Sequence, residues 1–251
     1  MKVEKIKKTG KKYKIIFDDD SKITTYDDVI LNNGLLFHPN IDADILNKIN
    51  TDTNYYDIYY KTVNYITRKL RSEKEINEFI DKNNVNDKDK KEVIKKLKEI
   101  GLINDLIFAK AYISDHINLT NDGPYKIRNS LSEHNIPSEI IDEELAKIDK
   151  ELINNKLSKL INKKIKNTKY TGYYLKQKVI NDLTNLGYDR QMIVNIYDNI
   201  EIDNSNLLKK EYDKLYKKLS NKYSGSELEY KIKSKLYQKG FTQDEINNID
   251  F

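Results

Sequence analysis

A helix-ending residue followed by an apolar one recurs four times, at Asn84-Val85, Asn135-Ile136, Gly187-Tyr188 and Gly240-Phe241, with spacings of 51, 52 and 53 residues. Gly and Asn adopt the left-handed backbone that closes a helix more readily than other residues. The apolar residue after them can fold back onto the last turn. A mark kept at that spacing predicts one structural unit used four times. Helical repeats build extended surfaces rather than catalytic clefts, so the pattern favours a binding protein over an enzyme.

Within that frame the composition is restrictive. Charged residues make up 34% of the 251 and hydrophobic ones only 38%. Those proportions suit helices that each bury one stripe, not a single thick core. The chain has no cysteine, which excludes disulfide and thiolate chemistry and fits a reducing compartment. No apolar run reaches the ~18 residues of a membrane span, and the start lacks the apolar core of a signal peptide. A cytoplasmic protein without membrane contact is expected.

Residues 1–26 read as a β-meander, with strands at Val3–Lys7, Tyr13–Phe17 and Lys22–Tyr26 joined by turn residues. Asp27 or Asp28 caps a short helix, and Asp42 starts another. From Asp57 onward the reading is all helix. Helices are expected to start at Asp57, Ser72, Asp87 or Asp89, Asn104, Gly123-Pro124 and Pro137, and then at Glu151, Thr171, Asp189, Ser205, Ser224 and Thr242. The expected fold is mainly α: a small N-terminal β-meander followed by tandem three-helix repeats, elongated and curved. The divisions are 1–55 for the meander with its short helices, then repeats at 56–103, 104–150, 151–202 and 203–251.

Chemistry-bearing groups are sparse. His38, His116 and His134 have no ligand spacing, and neither a phosphate-cradling glycine loop nor a nucleophile elbow is present. Asp18-Asp19-Asp20 lacks the other positions of a calcium loop and reads as a turn. No catalytic residue, metal or cofactor is expected.

Charge is more informative. The net charge is +5, but residues 119–150 sum to −3 and residues 151–202 to +4. No acidic residue lies between Ile153 and Asn181. At helical spacing, Lys156, Lys159, Lys163 and Lys166 share a face beside the stripe of Ile153, Leu157, Leu160, Ile161 and Ile165. Lys169 and Tyr173 follow at the next helix entrance. Lysine rows engage phosphates and tyrosines stack on bases, although a solvated helix face with packing tyrosines shows the same pattern. Arginine is used only at Arg68, Arg71, Arg128 and Arg190. Its planar fork makes Arg68, Arg71 and Arg128 contact candidates, although cations near a helix C-terminus are also favoured by the dipole.

Three runs resemble a known family. Arg71-Ser72-Glu73-Lys74-Glu75-Ile76 resembles the R-S-E-x-E-L signature of RecX, the bacterial regulator of the RecA recombinase. Residues 101–113, beginning Gly101-Leu102-Ile103-Asn104-Asp105 and including Phe108, Ala109 and Tyr112, resemble its G-L-I-D-D-x-x-F-A-x-x-Y-V motif. Gly123-Pro124-Tyr125-Lys126-Ile127 with Leu131 resembles the G-x-x-x-I…L that follows. Asn104 replaces an Asp and Asn84 replaces a Gly of the family pattern; both keep capping, and Asn104 removes a charge. The strand-rich start and four units look like the longer Gram-positive form. The resemblance implies a monomeric, non-enzymatic protein whose partner is the RecA filament on single-stranded DNA, and which damps ATPase and strand exchange. A general nucleic-acid-binding helical repeat protein without a recombinase partner is the alternative.

Overall fold

The computed structural model describes residues 1–168 and 170–248. These residues fall into two compact units. The first comprises Met1–Ala109 with His134–Pro137, and the second Lys110–Glu133 with the described residues from Ser138 onward.

In the first unit, β1 (Val3–Thr9), β2 (Lys12–Phe17) and β3 (Lys22–Thr25) form an antiparallel sheet in chain order, with an irregularity in β1 between Val3 and Lys5. Three strands alone cannot bury a face. Helices α1 (Asp27–Asn32) and α2 (Ala43–Ile66) share their core, in which Ile15, Phe17, Val29, Ile49 and Tyr56 are buried. α3 (Glu73–Asp81) and α4 (Asp87–Glu99) close a second core through Ile76, Ile80, Val93 and Leu97.

One expected helix start is corrected. Asp57 begins nothing, because α2 runs unbroken from its N-cap at Asp42. No Gly or Pro interrupts it, and the Asp57 carboxylate is satisfied by distant partners instead of by backbone N–H groups. Lys12 Nζ lies 2.6 Å away and the Tyr26 hydroxyl donates from 2.7 Å. α2 therefore serves both cores, giving Ile49 and Tyr56 to one and Ile58 and Ile66 to the other. Leu70, expected on that stripe, lies beyond the helix and is exposed, as is Ile100.

The expected cap at Asp27 or Asp28 is also corrected, since Tyr26 is the N-cap of α1 and both aspartates lie in its first turn; Thr171 and Ser224 stand at N-caps without a side-chain cap bond. Other starts follow their caps. Ser72 makes a capping box with Glu75, and Asn104 accepts from Ile107 N–H at 3.0 Å. The α4 cap is Asn86, one residue before the expected Asp87. α5 (Asp105–Leu119) is followed by α6 (Pro124–Glu133) and α7 (Ser138–Ala146), then by α8 (Lys150–Lys166), α9 (Gly172–Asn185) and α10 (Arg190–Asp198), and by α11 (Ser205–Leu219), α12 (Gly225–Gln238) and α13 (Gln243–Asn247). Among the described residues, no helix is long and apolar enough to cross a membrane.

Successive middle helices of the second unit meet through backbone. Gly187, just past the C-cap of α9, lies against Gly123 at the entrance to α6: Gly123 N–H donates to Leu186 O at 2.6 Å, and Tyr125 N–H to Gly187 O at 3.0 Å. Gly240 beyond α12 lies against Thr171 and Gly172 at the start of α9 in the same way. A Cβ on any of these four glycines would come closer than 3.0 Å to facing backbone. Gly187 and Gly240 also hold φ of 87° and 99°, which a side chain strains. Two of the four punctuation marks therefore close a helix and seat its end on the preceding triplet.

Candidate nucleic-acid interface

α8 separates its side chains as the spacing predicts. Ile153, Leu157 and Ile161 are buried, while Lys159, Lys163 and Lys166 are exposed. None of these three lysines takes part in an ion pair among the described residues, so their charges face solvent.

Lys156 departs from the row. Its ammonium turns back to donate to Ile117 O at 2.6 Å, capping the end of α5, and it is half-buried. Burial pulls its pKa below the ordinary lysine value, opposed by the Asp122 charge. It serves as a structural cap. Lys169 lies outside the described residues.

The remaining lysines of the acid-free stretch are neutralised by carboxylates outside it. Lys164 pairs with Asp182 at 2.7 Å and Lys176 with Asp198 at 2.6 Å, while Lys178 lies 3.6 Å from Asp182. The hydrogen bond from Lys164 is the main reason Asp182 is held below the usual carboxylate range; burial opposes it, and the charges of Lys164 and Lys178 add to it.

Between α8 and α9, Lys164, Lys178 and Asp182 border a cleft of about 370 Å³. Its apolar lining is Leu160, Leu175, Val179 and Leu186, and its basic lining is Lys163, Lys164 and Lys178. Asn121, Asn167 and Thr168 add amide and hydroxyl groups. Tyr170 lies beneath the Lys178 ammonium at 5.8 Å, and Tyr173, strongly exposed, meets Tyr174 edge-on at 5.9 Å. Lys163 thus lines a formed cleft, whereas Tyr173 is not part of its lining. Lys164 and Lys178, members of the acid-free stretch but not among the contact candidates, complete it with Asp182, whose pairing with them depends on how α8 and α9 pack.

The arginine candidates are more committed. Arg128 pairs through both terminal nitrogens with Asp142. Arg71 pairs with Glu75 at 2.9 Å and lies 4.4 Å over the Tyr65 ring, with its Nε buried and unpartnered. Arg68 is exposed and makes no ion pair among the described residues. Arg68 and Arg71 belong to the first unit, Arg128 and the lysines to the second.

The histidines have separate structural partners. His116 contacts Asp122 at 2.9 Å, His134 contacts the Ser72 hydroxyl at 3.2 Å, and His38 is exposed. No group of three or more His, Cys, Asp or Glu among the described residues is placed to hold a metal ion.

Comparison with known proteins agrees with this architecture. The family model for the second three-helix domain of RecX matches residues 104–145, and that for its third three-helix domain matches residues 201–249. The chain is 31% identical to the regulatory protein RecX of Streptococcus agalactiae serotype III (strain NEM316) over 255 residues, covering 99% of this chain and 98% of the relative. This chain belongs to the RecX family. The RecX of Lactococcus lactis subsp. cremoris (strain SK11) is 28% identical across 98% of this chain and 96% of its own length. A solved structure of regulatory protein RecX superposes with a TM-score of 0.69 over 78% of this chain and 98% of its own, at 24% identity. That of RecX from Lactobacillus salivarius gives 0.55 over 58% of this chain and 97% of its own, at 25% identity. The fold is that of RecX, and the full-length relatives carry the name of a regulatory protein.

Proposed function

We propose that this chain is a non-enzymatic regulator that binds the RecA filament on single-stranded DNA and inhibits its ATPase and strand exchange, acting as a monomer in the cytoplasm. The observation that carries the reading is the 31% identity to a regulatory protein RecX across nearly the whole of both chains. The second unit adds a physical means. Lys159, Lys163 and Lys166 present unpaired charge among the described residues, and Tyr170 and Tyr173, at the entrance to α9, are exposed. A phosphate backbone is attracted to the first group and bases stack on the second. Several weak contacts made at once on a polymeric partner sum through effective concentration.

The test is RecA ATPase on single-stranded DNA with this protein added. Inhibition is expected at amounts well below those that coat the DNA. No inhibition at any amount, with DNA binding intact, would leave a general nucleic-acid-binding repeat protein. Replacing Lys159, Lys163 and Lys166 with Gln should weaken single-strand binding and reduce its logarithmic salt slope by about 2, at ~0.7 for each phosphate no longer neutralised. An unchanged slope removes the lysine face from the DNA interface without touching the RecA reading.

A further inference from the structure

We infer that the cleft between α8 and α9 receives one unstacked nucleotide of a single strand, its base against the apolar lining and a neighbouring phosphate between Lys163 and Lys178. The inference rests on the reading that the lysine face meets nucleic acid, and it adds a base-binding site to what would otherwise be a phosphate-only surface.

The chemistry of the cleft selects the occupant. Three lysines against Asp182 leave an excess of positive charge, so an anionic ligand is favoured. Lys164 and Lys178 share Asp182, whereas Lys163 at the same rim pairs with no carboxylate among the described residues. Inorganic phosphate alone would leave the apolar lining uncovered, because half-buried Leu160 and Leu186, beside the fully buried Leu175 and Val179, offer only hydrocarbon. A ligand with an apolar face and an attached negative charge uses both linings.

A nucleotide has that form. Asn121, Asn167 and Thr168 supply both donors and acceptors, which the mixed edge of a base requires. A volume of about 370 Å³ lies near the lower end of small-molecule sites, from ~300 Å³ upward, which suits one nucleotide. Tyr170, below Lys178, lies beside it for a flanking base. Unstacking a base costs least in a single strand, where no pairing is lost.

The experiment compares oligothymidylate with an abasic oligomer of equal length and charge, both binding to the full-length protein without RecA. The intact protein should bind the thymidylate at least ~10-fold more tightly, a difference of about 1.4 kcal/mol. Asn167→Trp, at an exposed helix end on the rim, should bring the two affinities within ~2-fold while the thermal melt stays unchanged. Lys163→Gln should lower both affinities and retain most of the preference.

Equal affinities in the intact protein would overturn the inference and leave phosphate-only binding. A preference that survives in a folded Asn167→Trp would place the base elsewhere and overturn it too. If Asn167→Trp instead weakens binding to RecA filaments with oligomer affinities unchanged, a protein side chain occupies the cleft. Saturable binding of thymidine monophosphate, tighter than the oligomer, would make the ligand a free nucleotide and reject the strand. RecA ATPase inhibition, measured separately, reports on the regulator reading whichever of these results appears.

Discussion

Around the N-terminal sheet the chain packs bulky aromatic side chains on one another, whereas the joints of the second unit close by backbone on backbone. Tyr55, Tyr56, Tyr59 and Tyr60 crowd one stretch of α2, and Tyr60 stacks on Tyr26 at 4.6 Å. Their hydroxyls find specific partners: Tyr60 donates to Asp28 at 2.6 Å, Tyr26 to Asp57, and Asn32 donates to Tyr56. At Gly123 and Gly187, and again at Gly172 and Gly240, contact is made by peptide groups that a single methyl would separate. A sheet must be covered by large surfaces of matched shape. A helix end must satisfy its remaining N–H and C=O groups, and a second helix end can do so if nothing stands between. One region should therefore suffer from removing side-chain atoms, and the other from adding them.

The largest expected effect is a removal. Phe108 is buried in the first unit and meets His134 edge-on at 5.1 Å. Phe108→Ala should cost ~3–5 kcal/mol in urea unfolding. A change within ~0.5 kcal/mol would mean the ring does no packing. Next comes an addition. Gly187→Ala puts a Cβ within 3.0 Å of the Lys126 backbone at a φ of 87°, and should cost ~3 kcal/mol from overlap and backbone strain together. A destabilisation below ~1 kcal/mol would show that the joint opens freely, and the contrast between the regions would fail.

Tyr60→Phe should cost a smaller ~1.5–2 kcal/mol, because the deleted bond has a charged acceptor. The bond to Asp28 and burial both raise the Tyr60 pKa, so the phenol stays protonated and the bond persists through mildly alkaline pH. A melt as stable as the parent's would reduce the tyrosine cluster to its hydrophobic area.

The smallest expected effect is one of pH. Burial pushes the Asp57 pKa up, but the hydrogen bonds from Lys12 and Tyr26 outweigh it and hold the carboxyl below its ordinary value. A depressed folded pKa contributes stability above the unfolded value of ~3.9, and that stability is lost as pH falls through the folded one. Asp57→Asn should therefore flatten the acid limb of the urea midpoint below about pH 4 and lower the plateau above it. An unchanged acid limb would assign the limb to other carboxylates, such as Asp122 in the second unit, whose pKa is also lowered.

Most helix starts were legible because capping is local. Ser72 with Glu75, Asp189 with Met192 and Thr242 with Glu245 each close within three residues, inside the reach of a sequence motif. The length of α2 was not legible, since Asp57 looks like a cap until Lys12 and Tyr26 are brought to it from 45 and 31 residues away. The candidate site divides the same way. The exposed positions of Lys159, Lys163 and Lys166 follow from 3.6-residue periodicity, whereas the diversion of Lys156 to Ile117, 39 residues earlier, does not.

From sequence alone came the helical triplets, their punctuation and the acid-free lysine stretch, because propensity, caps and periodicity act over a few residues. Only the tertiary structure decided which of those lysines keep their charge facing water. An ion pair or cap depends on distances of a few ångströms between groups far apart in the chain, and packing alone sets those distances.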